Sequence, residues 1–195
     1  MSLEFNYKKA TQALNYFARK KGGSIDTLMA IKLVWLADRL HLRKYGRFIT
    51  NDKYFAMKLG PVGSGTYNII KDSSDFLNRE ILNYSSKFIT CLDTDKKKFI
   101  SSNEIDEKVF SKSELSVLDH VFSNFSNMTK WQLSDYSHLF DEWSRYKDQI
   151  GNNSEARFEI IVDDFFNITP FGDEIFDQSQ EVLECVKELY NEQNP

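Results

Sequence analysis

The sequence predicts a mainly α-helical fold, a compact helical domain carrying a small β-hairpin or short antiparallel sheet. Three observations lead there. Only 8 glycines and 3 prolines occur in 195 residues, too few for the many tight turns of a sandwich or barrel. Long stretches repeat apolar residues at three- and four-residue spacing, the period of an amphipathic helix. Strand-like alternation is confined to short segments bounded by turn residues. With 41% hydrophobic residues, including 16 Phe, 9 Tyr and 3 Trp, the chain can fill one core, so residues 1–195 are read as a single domain.

From Asn6 to Lys21, Tyr7, Ala10, Leu14, Phe17 and Ala18 form one apolar face among lysines and Arg19, which predicts the first helix. Gly22-Gly23-Ser24 ends it. Asp26 can cap a second helix running to about Tyr45, apolar nearly all round except for a stripe of Lys32, Arg39 and Arg43, and therefore central. Residues 47–59 follow no clear period, although 54–58 alternate as a short strand would. Gly60-Pro61-Val62-Gly63-Ser64-Gly65 reads as a loop, with short helices expected around Tyr67 to Ile70 and from Phe76 to Leu82. Segments 87–92 and 98–100 flank an Asp93-Thr94-Asp95 turn and predict a hairpin.

Ser111-Lys112-Ser113-Glu114 and Thr129-Lys130-Trp131-Gln132 both fit the capping box, in which hydroxyl and carboxylate or amide satisfy free backbone N–H groups. After the break at Gly151-Asn152-Asn153, Ser154 is expected to cap a helix bearing Phe158, Ile161, Val162 and Phe165. A last helix is expected after Pro170-Phe171-Gly172, with Val182, Val186, Leu189 and Tyr190 on one face.

Charge is divided along the chain. Residues 1–65 hold 12 Lys/Arg against 4 Asp/Glu, whereas 66–195 hold 13 against 25. Opposed faces within one fold would explain this. The alternative is a basic nucleic-acid footprint of Lys8, Lys9, Arg19, Lys20, Lys21, Arg39, Arg43, Lys44 and Arg47, with Tyr16 and Tyr45 for stacking; the chain lacks a recognisable reading motif and its overall charge is −4. Cys91 and Cys185 have no partner at zinc or redox spacing, the N-terminus lacks a signal-peptide pattern, and no apolar run approaches the ~20 residues of a membrane span. A cytoplasmic protein without membrane contact is expected.

Catalytic and metal signals are weak. His138 and Glu142 are four apart, without a third ligand; Asp38 and His41 are three apart, without a nucleophile motif. The glycine-rich loop lacks the endings of a P-loop or dinucleotide site. No cofactor and no metal are expected, and a hydrolase built on His41 or His138 is the least favoured reading.

Two motif groups resemble one family. Lys32-Leu33-Val34-Trp35-Leu36-Ala37-Asp38, with His41 following, then Tyr45-Gly46, then Ala56-Met57-Lys58-Leu59-Gly60-Pro61-Val62 and a downstream Tyr67 form the first; Leu133-Ser134-Asp135-Tyr136-Ser137-His138 followed by Trp143 forms the second. Together they resemble the Panacea antitoxin domain, a SocA-like, phage-associated family, over roughly residues 8–145. Leu59 stands where an aromatic is frequent, and Gly63 where many relatives carry Pro. The resemblance implies a helical domain with a small β element. It also implies an antitoxin that directly binds a cognate toxin, one expected to be encoded by an adjacent gene in a bacterial or phage toxin–antitoxin pair, and that does no catalysis. Lys58, Tyr67, Ser137, His138 and Trp143 are then the partner-binding candidates, with Trp35, Asp38, His41, Tyr45, Gly46, Gly60, Pro61 and Val62 as motif or structural positions. The acidic C-terminal part, 154–195, would suit a basic toxin. Delivery of a partner to a protease and nucleic-acid-binding regulation through the basic N-terminal third are the alternatives.

Overall fold

A computed structural model describes residues 4–151, 153, 155–169 and 174–194. Helix α1 (Tyr7–Lys20) starts at Asn6, whose side chain accepts from the Lys9 N–H, and ends at two glycines with φ +91° and +94°. Strand β1 (Ser24–Asp26) leads into α2 (Thr27–Tyr45), which Asp26 caps by accepting from Leu28 N–H. From residue 29 to residue 43 every residue of α2 is buried. Helices α1, α5 (Lys112–Phe125), α6 (Lys130–Ser137) and α9 (Gln180–Gln193) surround it. Both expected capping boxes, at Ser111 and Thr129, are formed with reciprocal bonds.

The polar stripe of α2 is buried too, and each member finds a partner inside. Arg39 Nε donates to Glu142 at 2.7 Å, and Arg43 donates to the carbonyls of Phe165, Asn167 and Phe176. Buried charge is costly unless it is matched in this way. Part of the alternative nucleic-acid footprint is therefore taken up inside the fold. Arg39 and Arg43 lie in the core, Lys9 pairs with Glu114, Arg19 with Glu104 and Lys20 with Asp119, and Tyr16 is a buried ring bonded to Asp119. Much of the basic excess of the first third is answered by acids from later in the same chain.

Asp38 orders the aperiodic stretch after α2. Its carboxylate accepts from Ile49 N–H at 2.6 Å, Thr50 N–H at 2.9 Å and Tyr54 O–H at 2.6 Å, and from the Thr50 hydroxyl. Burial pushes the carboxyl up to about 6, against the pull of these donors. Gly46 ends α2 at φ +67°, and a Cβ there would lie 3.1 Å from Leu189, so α9 can pack closely only past a glycine.

Two three-stranded antiparallel sheets flank the helices. One has the order β1-β5-β4, from β4 (Ile89–Cys91) and β5 (Lys98–Ser101). This is the expected hairpin, extended by β1 in register Ser24↔Ile100. The other has the order β3-β2-β6, from β2 (Tyr54–Met57), β3 (Gly60–Gly63) and β6 (Phe158–Glu159). Gly60 to Gly63 is thus a strand, not the expected loop. Its proline is tolerated because β3 lies at the sheet edge, where a missing N–H breaks no inner ladder. The loop ends early because α3 (Ser64–Lys71) begins at once, its first N–H groups received by Asp52 from Gly65 at 2.8 Å and Thr66 at 2.7 Å.

Three further expectations change. The helix expected from Phe76 is α4 (Arg79–Ser85), because Asn78 caps it by accepting from Ile81 N–H; Phe76 is exposed. After α7 (Asp141–Ser144) and α8 (Lys147–Ile150), the helix expected through Phe158 to Phe165 is replaced by β6 and a 3₁₀ segment, Val162–Phe166. Pairing with the open edge of β2, seen in Phe55↔Glu159 and in Ile160 N–H donating to Tyr54 O, outweighs the local helical spacing. On α9 the inward face is Leu183, Val186 and Tyr190, while Val182 and Leu189 are exposed. The expected cap at Ser154 and the Pro170-Phe171-Gly172 break lie outside the described residues.

Candidate functional site

Several of the family-like residues, from Lys32 to Trp143, meet at the β2–β3 hairpin. Its register, Ala56↔Pro61 and Met57↔Gly60, leaves Lys58 and Leu59 at the tip. Gly60, at φ +100°, supplies the left-handed residue that closes so tight a turn. On the inner side, three alternate carbonyls are each held by a side chain from a different helix. Trp143 Nε1 of α7 donates to Met57 O at 2.7 Å, Ser134 Oγ of α6 to Leu59 O at 3.0 Å, and Lys32 Nζ of α2 to Pro61 O at 2.7 Å.

This clamp is tight. A Cβ on Gly60 would collide with Ser137 Oγ and come within 2.6 Å of Lys32 Nζ. Ser137 is itself fully buried, its hydroxyl donating to Ser134 O at 2.7 Å. His138 stacks on Trp143, with centroids 3.6 Å apart and planes 18° apart, so the indole is steered toward Met57. Lys32 is wholly buried, which holds its amine well below the usual lysine range. His138 is pushed down to about 4, first by burial and then by the Lys32 charge, and its Nε2 is buried without a hydrogen-bond partner among the described residues.

The outer side of the same hairpin differs in kind. Lys58 is exposed and makes no hydrogen bond or ion pair among the described residues. Beside it opens a cleft of about 540 Å³ whose apolar lining includes Leu28, Ile31, Met57, Leu59 and Val62, with Tyr67 and Trp131 as walls. Leu59, Tyr67 and Trp131 are 39%, 37% and 56% exposed, and large apolar groups left open together mark interaction surfaces. Lys58, Lys71, Lys96, Lys97 and Lys130 rim the cleft, with Asp26 as its single acid.

The partner-binding candidates therefore divide. Lys58 and Tyr67 face the cleft, Ser137 and Trp143 are buried beneath the hairpin, and His138 is half-buried against Trp143. Trp131, Lys130 and Lys96 were not singled out from sequence; the available signal was a large aromatic on the polar face of a helix just after its cap. Among the motif positions, Trp35 is core, packed edge-on against Phe140, and Val62 is on the cleft floor. Asp38 and His41 do not meet as a catalytic pair. His41 Nδ1 lies 2.8 Å from Arg47 O and Nε2 3.1 Å from Ser113 Oγ, with the half-exposed Tyr45 ring against its face. Glu142 is the buried partner of Arg39 and not a ligand beside His138. Among the described residues no group of three His, Cys, Asp or Glu side chains stands close enough to hold a metal ion, and no helix is long and apolar enough to cross a membrane.

Neither a curated protein nor a solved structure matched the chain. The profile of one family, described as Antitoxin SocA-like, Panacea domain, matches residues 31–144. That span runs from the central helix through the hairpin and its clamp to Trp143, and takes in the cleft walls Tyr67 and Trp131. With more than half of its length inside that match, the chain belongs to the SocA-like, Panacea-domain antitoxin family.

Proposed function

We propose that this chain neutralises a cognate toxin by direct protein–protein contact, covering a functional surface of the toxin and doing no chemistry on it. Family membership supports the toxin-neutralising role. The observation that carries direct contact is the open apolar cleft at the hairpin tip, where Leu59, Tyr67 and Trp131 stand exposed together. Burying such aromatic anchors in a partner supplies most of the affinity of a typical interface, and a rigid clamp beneath lowers the ordering cost. Asp38, His41 and Glu142 are each engaged by neighbours within the fold.

The test is co-expression. The product of the neighbouring open reading frame is induced from one promoter and this chain from another, and growth and co-purification are scored together. Growth arrest by the neighbour, rescue by this chain and a stable complex are expected. Rescue without a complex, or rescue that needs a host protease, would replace masking by delivery.

A further inference from the structure

The cleft at the hairpin tip combines an aliphatic floor with an excess of lysines, and the two together define an occupant. Five lysines face one aspartate around it. Lys130 is paired with that aspartate, Asp26, at 2.7 Å, and Lys97 with Asp95 at 2.7 Å. Lys71 donates only to the neutral carbonyl of Asp95 and Lys96 only to that of Lys71, while Lys58 donates to nothing described. Three cations thus border apolar surface without an ion pair among the described residues, the nearby Asp95 being paired with Lys97. Lys71 and Lys130 also lie over the rings of Tyr67 and Trp131, at 5.5 and 5.4 Å from the centroids, which keeps their charge beside the walls.

We infer that this cleft receives an acidic amphipathic segment of the partner, with aliphatic or aromatic anchors entering between Tyr67 and Trp131 and about three carboxylates meeting Lys58, Lys71 and Lys96. The inference rests on the direct-contact reading above. A nucleic acid fits less well. The floor is built of Leu28, Ile31, Met57, Leu59 and Val62, which suit aliphatic side chains better than bases. No Arg, Asn or Gln lines the cleft to read a base edge. An acidic segment satisfies both features at once, because its apolar side chains bury the walls while its carboxylates neutralise the rim.

The experiment uses the full-length chain in complex with the product of the neighbouring gene. A photoreactive p-benzoylphenylalanine replaces Trp131, the complex is irradiated, and the crosslinked toxin peptide is identified by mass spectrometry. Binding of the toxin to Trp131→Ala, Lys58→Glu/Lys71→Glu and Lys58→Arg variants is measured in parallel, with melting curves as the folding control. The expected result is a crosslink within a net-acidic segment bearing spaced apolar residues. With it should come a loss of about 30-fold in affinity for Trp131→Ala and of about tenfold or more for the double charge reversal, mostly in the association rate, while Lys58→Arg binds as the parent does. A crosslink to a basic segment, to nucleic acid or to a second copy of this chain overturns the inference. So does unchanged toxin binding by the folded Trp131→Ala and charge-reversed variants; in that case direct contact stands and only the cleft is wrong. If the unmodified chain forms no complex with a neighbour that does arrest growth, both readings fall.

Discussion

The two sides of one hairpin do different work. On the inner side, Met57, Leu59 and Pro61 present carbonyls to Trp143, Ser134 and Lys32, and Gly60 leaves no room for a side chain. On the outer side, Lys58 and Leu59 are exposed beside Tyr67 and Trp131. The inner residues are matched donor to acceptor within the fold, so almost any change there costs stability. The outer ones are tied loosely or not at all, so they can vary with little effect on the fold. The comparison teaches that the motif residues Lys32, Gly60, Pro61, Ser137 and Trp143 describe how the hairpin is held. What the hairpin presents is written in fewer and less regular positions.

The largest effect expected from breaking this contrast is at Gly60. Gly60→Ala forces a side chain onto φ +100° and into Ser137 and Lys32, and should cost about 3 kcal/mol or more in urea unfolding, with toxin binding lost alongside. An unchanged unfolding midpoint would mean that the inner side is not a clamp. Next comes Trp143→Phe, which keeps a ring for His138 to stack on but leaves Met57 O without its donor. About 1–3 kcal/mol of destabilisation is expected, with a smaller change in toxin affinity than Trp131→Ala produces.

The pH dependence sharpens the inner side further. His138 is held at about 4 in the fold against an ordinary 6.5, so between these values the unfolded chain binds the proton and the native one does not. Its contribution therefore makes stability rise as pH climbs from 4 to 6.5. Asp38, raised from 3.8 to about 6, works in the opposite sense, because there the native state holds the extra proton and stability falls as pH rises through that window. Melting temperatures of the parent and of His138→Phe between pH 4 and 7 separate the two. The variant should lose the part of the rise that His138 contributes, so that its curve rises less between pH 4 and 6.5 than the parent's, and parallel curves would refute the assignment.

The smallest effect belongs to the outer side. Lys58→Ala should change stability by no more than about 0.5 kcal/mol, since the side chain is exposed and touches no partner within the fold. It should slow toxin association by a factor of about two to five at low salt. Stopped-flow rates at rising ionic strength check this, because the difference should vanish as charge is screened.

Much of the architecture was legible because its signals are local. Asp26, Ser111 and Thr129 each stand in a pattern whose physics is complete within a few residues, and the helices begin where those patterns put them. The Lys87–Ile100 hairpin was legible from alternation around a turn for the same reason. Other segments were illegible because their partners are distant. Residues 47–54 have no period of their own and are ordered by Asp38; Gly60-Pro61-Val62-Gly63 has the composition of a loop and becomes a strand by pairing with β2; Phe158 to Phe165 has helical spacing and gives way to the same strand's other edge. The site divided likewise: Lys58 and Tyr67 were found through a motif, while Trp131 and Lys96 are drawn to them from segments far along the chain.

By itself, then, the sequence determined the helical class, the caps, the central place of α2 and the family, because periodicity, capping and motif spacing act over short distances along the chain. Only the tertiary structure decided which charges are spent inside, that Arg39 and Arg43 are core residues, and that lysines from distant segments gather around an apolar cleft. Burial and pairing depend on which distant segments fold against one another, and a one-dimensional pattern does not carry that information.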